Sequence, residues 1–319
     1  MKKHLVSVVI PCLNGSPTIA RLVDSLRQQE LPPDVGLEIV VVDNGSTDGT
    51  GEILKKLPVT AVLESKKGPA AARNSGVRAS HGDIAVFLDA DTRACDAFLI
   101  AEHLKTLERF PDVGIAGGSI TPDPEQKSWL AFAENATGLF NWHDRLPARY
   151  VSFQPMGNMA FRRSLYEEIG PLDETLLCLE DFEWNMRAKR AGHKVFFDPQ
   201  AGVFIRGRES LPTILKKFYR WGLNVFEVYA PGRRDQVWLF PEHGWLFGAN
   251  VPLRILNETW VTVKRWFPVC PVKCVLMIPL FLLYRTAWAA GIGVGARRSA
   301  RARTTADLQN RETVDEKNR

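Results

Sequence analysis

Hydrophobic residues in the first 120 positions occur in short continuous runs, and the stretches between the runs carry apolar residues at helical spacing. Each run has the length of a buried strand. The predicted strands are Leu5–Ile10, Leu37–Val42, Val59–Leu63, Ile84–Leu88 and Val113–Ala116. The predicted helices between them are Thr18–Gln29, Asp48–Leu57 and Pro69–Ala79. Apolar strands that alternate with amphipathic helices predict a Rossmann-like, mostly parallel α/β sheet with helices on both faces.

The carboxyl ends of these strands are where a binding site is expected. In open α/β sheets, ligands sit in the crevice outside the carboxyl ends of the strands. The loops after Ile10, Val42 and Leu88 should therefore face one common crevice. Polar residues in these loops are the first candidates for chemistry.

The pattern changes twice in the rest of the chain. The next predicted elements are a helix over Asp181–Ala191, strands over Lys194–Phe197 and Gly202–Ile205, and a helix over Leu211–Tyr229. After Pro241, an apolar stripe at helical spacing comprises Leu253, Leu256, Trp260, Val263 and Phe267. The apolar run Cys274–Tyr284 extends to Ala296 if Arg285 is tolerated, and is then long enough to cross a bilayer.

These patterns predict three regions. Residues 1–230 form a catalytic domain, with a nucleotide-binding half (1–120) and an acceptor half (121–230). Residues 231–296 form amphipathic and hydrophobic helices that associate with a membrane. Residues 297–319 form a basic and polar disordered tail.

Composition and charge narrow the classes of protein. With 45% hydrophobic and 24% charged residues, the chain of 319 residues has the composition of a globular protein. The net charge of +5 is mild, and no nucleic-acid partner or obligate protein partner is predicted. A local run of arginines without acids either attracts anionic lipid or is a solvated tail. That run comprises Arg285, Arg297, Arg298, Arg301 and Arg303.

Cysteine usage and the N-terminus indicate a cytosolic protein. The five cysteines are odd in number and scattered, so we interpret them as reduced thiols. Cys270 and Cys274 lie close together, but no second Cys/His pair completes a zinc set. The run Leu5–Ile10 is too short for a signal peptide and is better interpreted as a first core strand.

The acidic pair Asp89 and Asp91 is the strongest chemical feature, because it leaves a hydrophobic strand at its carboxyl end. Buried carboxylates are costly unless a positive charge meets them. Carboxylate oxygens suit Mg²⁺ or Mn²⁺, which bind through one or two carboxylates and substrate phosphates. The pattern Asp-x-Asp is common by chance, and its position after a core strand gives it weight.

Three other segments are ambiguous on residue chemistry alone. The segment that begins with Asp43 suits a ribose or a base edge, or is only a tight turn and cap. The helix that opens at Gly68 places Arg73 where it would clamp a phosphate, or is a well-packed alanine-rich helix. Glu180 and Asp181 begin a helix, and residue chemistry alone favours N-terminal capping and helix-dipole charge over a general base aimed at the crevice.

The order of these segments resembles glycosyltransferase family 2, the inverting enzymes with a GT-A fold. The resemblance covers about residues 5–225 and includes an acceptor-side segment from Met156 to Arg163. The segments that carry it begin at Val8, Val41, Gly68, Phe87 and Glu180. Together they are specific for the family, but they do not identify the substrate.

The resemblance implies a role for each matched residue. By resemblance, Pro11, Asn14 and Asp43 contact the base and ribose of a nucleotide-sugar donor. Gly68 and Arg73 lie near the diphosphate. Asp89 and Asp91 hold nucleotide and metal, Mg²⁺ or Mn²⁺. Asp181, with Glu180 beside it, is the base for a glycan or lipid-linked acceptor.

Two positions depart from the family's pattern. Gly15 stands where many members carry an acid, and Arg206 stands where members often have a metal-binding His. Arginine has no lone pair for a metal, so we expect Arg206 or Arg208 to contact the diphosphate; the alternative is a surface arginine beside a turn. The segment Lys217–Trp221 resembles a motif of processive synthases with Lys in place of Gln. This difference favours transfer of a single sugar.

The C-terminal pattern predicts membrane attachment at the cytoplasmic face. Trp260 and Trp266, the apolar run and the arginines favour a monotopic or re-entrant attachment. One true span is the alternative, but it would place Arg297–Arg303 opposite the cytosolic domain, against the positive-inside tendency.

Three other classes of protein share part of this pattern. A nucleotidylyltransferase needs a basic Gly-rich loop after the first strand and a dehydrogenase needs G-x-G-x-x-G, and Pro11–Pro17 provides neither. A catalytically degenerate sugar-nucleotide- or lipid-binding membrane protein of the same fold remains open because of Arg206.

Overall fold

The computed structural model describes residues 4–228 and 244–317. The chain forms two compact units, Met1–Gly207 and Arg208–Arg319. The first unit contains the sheet, and the second is built from helices.

The first unit alternates strands and helices through its first half, as the hydrophobic pattern predicts. Its strands are β1 (His4–Cys12), β2 (Val35–Asp43), β3 (Thr60–Leu63), β4 (Ile84–Leu88), β5 (Thr92–Ala94), β6 (Val113–Pro122), β7 (Arg149–Val151), β8 (Asn158–Arg162) and β9 (Lys194–Ile205). Its helices are α1 (Ile19–Arg27), α2 (Thr50–Leu54), α3 (Pro69–Ala79), α4 (Leu99–Arg109), α5 (Trp129–Gly138), α6 (Arg163–Ile169) and α7 (Glu180–Arg190).

The described strands form one nine-stranded mixed sheet with the order β3-β2-β1-β4-β8-β6-β9-β5, and β7 pairs with β9. Strands β3, β2, β1 and β4 are parallel to one another. Strand β8 lies antiparallel between β4 and β6, so β6 and its parallel neighbour β9 run in the same direction as β1. The mostly parallel α/β fold is confirmed, and the carboxyl ends of its main strands meet at one edge.

Helices cover both faces of the sheet because alternate strand residues point to opposite sides. Val8 belongs to the core cluster that includes Leu22 of α1, whereas Val9 belongs to the cluster that includes Trp184 of α7. The two strands predicted near residues 194–205 are one strand, β9, whose pairing with β6 shifts register beside Ser119.

The second unit comprises helices α8 (Leu211–Val228), α9 (Gly244–Trp266), α10 (Pro271–Leu276) and α11 (Ile278–Lys317). Helix α8 packs closely against α11, and a Cβ at Gly222 or Gly291 would collide with the backbone of the other helix. The rings of Phe218 and Tyr284 stack at the same contact, 5.3 Å apart. This packing explains why the first unit ends at Gly207, before α8, whereas the pattern placed the boundary at residue 230.

Several predictions for the C-terminal region concern residues at the edge of what the structure describes. Residues 229–243, which include the end of the predicted helix Leu211–Tyr229 and the start of the predicted segment 231–296, lie outside the described residues. Helix α11 continues to Lys317, so it includes most of the tail that the composition predicts to be disordered.

Candidate active site

The loops after β1 and β2 lock each other through side-chain hydrogen bonds. The backbone N–H of Asn14 donates to Ser46 Oγ at 2.9 Å, and Asn14 Oδ1 accepts from the N–H of Thr47 at 2.9 Å. Asp43 Oδ1 accepts from the N–H of Ser46 at 2.8 Å. Pro11 pairs with Val42 in the adjoining strand. Three of the predicted donor-binding residues, Pro11, Asn14 and Asp43, therefore come together in one rigid double loop at the carboxyl edge.

Asn44 positions the start of α3, a role that the sequence interpretation missed. Its Nδ2 donates to the carbonyl oxygens of Glu64 and Lys66 at 2.9 and 2.8 Å. Its Oδ1 accepts from the N–H of Gly68 at 2.9 Å. Gly68 has φ +132°, a backbone conformation that favours glycine. The sequence signal that could have identified Asn44 is its position as a polar residue directly after a buried strand.

Arg73 is buried and bridges two carboxylates from different elements. Its Nη2 donates to Asp89 Oδ1 at 2.7 Å and its Nη1 donates to Glu180 Oε1 at 2.8 Å. Burial by itself lowers the pKa of Arg73, but the nearby carboxylates outweigh burial and raise it, so the guanidinium stays charged. Arg73 thus joins the end of β4 to the start of α7 instead of presenting an open guanidinium.

Asp89 is held from two sides. Arg73 binds its Oδ1, and a Cβ built on Gly157 would lie 2.8 Å from its Oδ2. The side chain of Asp89 keeps 38% of its surface exposed, so the carboxylate still faces the crevice. A larger residue at position 157 would therefore collide with this carboxylate, a contact that no sequence motif predicts.

Asp91 lines a small cleft next to Asp89. The residues around it are Thr18, Arg21, Asp91, Thr92, Arg93, Asp123 and Arg206. The backbone N–H of Arg206 donates to the carbonyl oxygen of Asp91 at 2.9 Å, which places the two residues side by side. Arg21 and Arg93 form ion pairs with Asp123 in the wall of this cleft.

The two carboxylates fit a divalent cation that takes most of its ligands from elsewhere. Within residues 4–228 and 244–317, no group of three or more His, Cys, Asp and Glu side chains is arranged to hold a metal. The half-exposed carboxylate of Asp89 and the cleft-lining Asp91 are the side chains that could offer oxygen ligands here. Mg²⁺ and Mn²⁺ suit such a site because phosphates and water complete their coordination.

Asp181 is a carboxyl group whose proton affinity suits a base. Desolvation by burial, followed by repulsion from Glu180, raises the pKa of Asp181 to about 7, although Arg73 opposes the rise. The residue before α7, Leu179, has φ +65° and makes no side-chain cap, so neither acid is the capping residue. Both acids lie in the first turn, and Glu180 faces Arg73.

The predicted acceptor-side segment holds the fold together at Asn158 and Arg163. Asn158 is buried; its Nδ2 donates to the carbonyl oxygens of Ser119 and Ala201, and its Oδ1 bonds to His103 Nε2 at 2.8 Å. Arg163 donates to the carbonyl oxygen of Gly82 at 2.7 Å. Within this segment, Gly157 is the residue that approaches the candidate site.

The fold, a mostly parallel sheet with helices, is that of the GT-A glycosyltransferases. The model of the family "Glycosyl transferase family 2" matches residues 7–170, just over half of the chain. The chain belongs to this family, so the predicted family membership is confirmed. It is therefore a glycosyltransferase that uses a nucleotide-sugar donor.

Two curated relatives match over most of both chains. Glycosyltransferase AglE of Haloferax volcanii is 26% identical over 259 residues, which cover 77% of this chain and 81% of that protein. A Methanococcus voltae protein is 23% identical over 264 residues, covering 76% of this chain and 79% of its own. Its name is dolichyl N-acetyl-alpha-D-glucosaminyl phosphate 3-beta-D-2,3-diacetamido-2,3-dideoxy-beta-D-glucuronosyltransferase.

A solved structure shows the same fold. The mannosyltransferase PcManGT from Pyrobaculum calidifontis, in complex with GDP-Man and Mn²⁺, superposes with a TM-score of 0.58 at 22% identity. The match covers 92% of this chain and 85% of that one.

Proposed function

We propose that this protein is an inverting glycosyltransferase that moves one sugar from a nucleotide-sugar donor to an acceptor hydroxyl, with Asp181 as the base. Pro11, Asn14, Asp43 and Gly68 form the wall for the nucleotide. Asp89 and Asp91 hold a divalent cation at the diphosphate. The observation that carries the proposal is the bridge through Arg73, which ties the donor carboxylate Asp89 to the helix that bears Asp181.

The reaction is a single displacement at the anomeric carbon. Asp181 takes the proton of the acceptor hydroxyl while the acceptor oxygen bonds to the anomeric carbon. The bond from that carbon to the diphosphate oxygen breaks, and the nucleoside diphosphate leaves with the electron pair. A divalent cation held by Asp89 and Asp91 would stabilise the negative charge on this leaving group. Attack opposite the leaving group inverts the anomeric centre, and no covalent intermediate forms.

The proposal is tested by transfer of a radiolabelled sugar from a panel of sugar nucleotides in the presence of Mn²⁺. A thermal-shift screen of nucleoside diphosphates selects the base of the donor. Protection by one nucleotide, with transfer of its sugar, is the expected result. Nucleotide binding without transfer or hydrolysis would instead support the alternative, a catalytically degenerate binding protein of the same fold.

The metal proposal predicts a weaker cation site in Asp91→Asn. The amide keeps one oxygen ligand but loses the negative charge, so the Mn²⁺ concentration for half-maximal activity should rise about tenfold or more. Asp96→Asn, an exposed carboxyl outside the cleft, is the matched control and should leave the Mn²⁺ dependence unchanged. Activity that persists in excess EDTA, in wild type and variant alike, would contradict a metal role.

We propose that Arg206 contacts the donor diphosphate, since it lies beside Asp91 where a metal-binding His is often found in the family. Arg206→Ala should raise the donor KM about tenfold, because a charged hydrogen bond contributes roughly 1.5–3 kcal/mol. The control, Arg145→Ala, removes an arginine from an exposed position. Unchanged donor affinity in Arg206→Ala would support the surface-arginine alternative.

The acceptor is proposed to be a lipid-linked sugar, a lipid phosphate or a polysaccharide precursor at the cytoplasmic face of the cell membrane. The name of the Methanococcus voltae relative includes a dolichyl N-acetyl-glucosaminyl phosphate, a sugar on a lipid carrier, and this supports a lipid-linked acceptor. In the described chain one helix segment, Ile278–Gly295, is long and apolar enough to cross a membrane. Full-length protein should fractionate with membranes; quantitative recovery in the soluble fraction without detergent would contradict this placement.

A further inference from the structure

Helices α9 and α10 and the turn between them carry a series of exposed apolar side chains. We call this the apolar band, and it comprises Leu253, Leu256, Trp260, Phe267, Val272, Val275 and Leu276. Its members on α9 recur at helical spacing, so they share one face of the helix. Trp260 is 63% exposed, whereas Trp266, predicted as a second membrane contact, is only 2% exposed. Exposed apolar side chains clustered along a short stretch of chain are typical of an interaction site.

The segment long enough to span a membrane is tied into the helical unit instead. Arg285, within Ile278–Gly295, is buried and its Nη1 lies 2.7 Å from Glu258 Oε2 on α9. If α11 crossed the bilayer, Glu258 would lie at membrane depth on a helix that also carries Arg254 and Lys264. Charged residues at the centre of a membrane helix are costly and rare unless they face a polar interior.

The contact between α11 and α8 also argues against a membrane-spanning α11. Gly291 of α11 packs on the backbone of α8 near Tyr219, and Phe281 and Ile292 are fully buried. Helix α8 carries the polar residues Lys216 and Arg220. One face of α11 therefore packs within this unit, and 39% of the segment Ile278–Gly295 is buried there.

The charge around the apolar band identifies its partner. Residues 251–298 contain seven Lys or Arg side chains and a single acid, Glu258. That acid is already paired with Arg285. An apolar face with an aromatic residue, flanked by basic side chains, is typical of a helix that lies in the interface of an anionic bilayer.

We propose that the apolar band docks on a membrane surface rich in anionic lipid headgroups, with α9 and α10 lying in the interface and α11 not crossing. Trp260 and the neighbouring leucines enter the boundary between headgroups and acyl chains. Lys264 and Arg265 contact the anionic headgroups. This inference rests on the proposed membrane association but not on sugar transfer.

Flotation with preformed vesicles tests the inference. Full-length protein in detergent is diluted below the micelle concentration into vesicles of phosphatidylcholine, alone or with a third phosphatidylglycerol, and no donor is added. We expect at least about tenfold stronger binding to the anionic vesicles, falling steeply with NaCl. Lys264→Gln/Arg265→Gln should lose about fivefold per charge removed.

The apolar contribution is tested with paired tryptophan variants. Leu256→Ser/Trp260→Ser should weaken binding to anionic vesicles by about tenfold or more, because interfacial binding scales with buried apolar area. Trp129→Ser, a half-exposed tryptophan in the first unit, is the matched control and should bind like wild type. Lys55→Gln/Lys105→Gln is the control for charge, since both lysines are exposed in the first unit.

A protease distinguishes docking from spanning. External protease should remove a C-terminal tag from all vesicle-bound molecules, because a docked α11 leaves the tag outside. Protection of the tag, equal binding to both vesicle types, or equal binding of the Leu256/Trp260 variant and wild type would each overturn the inference. Failure of wild type to bind any vesicle would overturn membrane association itself. The proposed sugar transfer would not be affected by that result, because it is measured separately with a soluble acceptor.

Discussion

Replacing Asp181 with Asn should lower kcat about a thousandfold, with little change in the KM for the donor. The amide keeps the size of the side chain but cannot accept the acceptor's proton, and a positioned general base contributes about 10²–10⁴-fold. The burial that raises the pKa of Asp181 to about 7 makes it a base near neutral pH. The measurement is steady-state transfer of labelled sugar at saturating donor.

The pH profile supplies the second measurement. In wild type, kcat/KM should rise with pH and level off above about pH 7, where the Asp181 carboxyl has lost its proton. The residual activity of Asp181→Asn should lack this limb. Asp112→Asn removes an exposed carboxyl at the start of β6, at the opposite edge of the sheet, and should keep both rate and profile.

The free energy of unfolding should fall with rising pH over the range in which activity rises. A carboxyl whose pKa is raised in the folded state binds its proton more tightly there than in the unfolded chain. Its contribution to the free energy of unfolding therefore falls as pH rises from about 4, the unfolded value, towards about 7. The difference in Tm between Asp181→Asn and wild type, variant minus wild type, should therefore be larger at pH 8 than at pH 5.

A small loss of activity in Asp181→Asn would contradict the base role and redirect the search for the acceptor. A phosphate acceptor is already ionised near neutral pH, since its second pKa is about 6, and it needs no base to attack. Retained activity together with an unchanged Tm profile would therefore favour a lipid phosphate over a hydroxyl.

The fold and the positions of the candidate groups were predictable because both follow from local pattern. The strand Ile84–Leu88 and the helix Pro69–Ala79 have the predicted bounds, since a continuous apolar run and a Gly-Pro start define them. The strand direction then sets which loops share the crevice. The pair Asp89 and Asp91 follows from that topology.

The partners of those groups were not predictable, because they come from distant parts of the chain. Residue chemistry left Arg73 open between a phosphate clamp and a packed helix, and the family resemblance placed it near the diphosphate. Its contact Glu180 lies 107 positions away in the chain. The contact between Gly157 and Asp89 depends on β8 entering the sheet antiparallel beside β4. The shielding of Arg285 likewise depends on how α9 meets α11, which composition does not reveal.

Arg73 therefore carries the second large prediction. Arg73→Met should lower kcat about a hundredfold and move the acid limb of the pH profile to higher pH, because Arg73 holds down the pKa of Asp181. The variant also leaves Asp89 and Glu180 without their common partner. Breaking a buried ion pair in this way costs about 3–5 kcal/mol of stability, which thermal unfolding measures.

Two further variants separate the charge of Arg73 from its geometry. Arg73→Lys keeps the cation but lacks the planar fork that reaches both carboxylates, so the acid limb should stay in place while kcat still falls. Arg73→Met/Glu180→Gln removes one of the stranded carboxylates and should recover stability without recovering kcat. If Arg73→Met destabilised the protein but left kcat and the pH limb of its folded fraction unchanged, the bridge would be structural only. The bridge supports activity if two results are obtained. The acid limb of the pH profile must shift in Arg73→Met but not in Arg73→Lys, and kcat must fall in both variants.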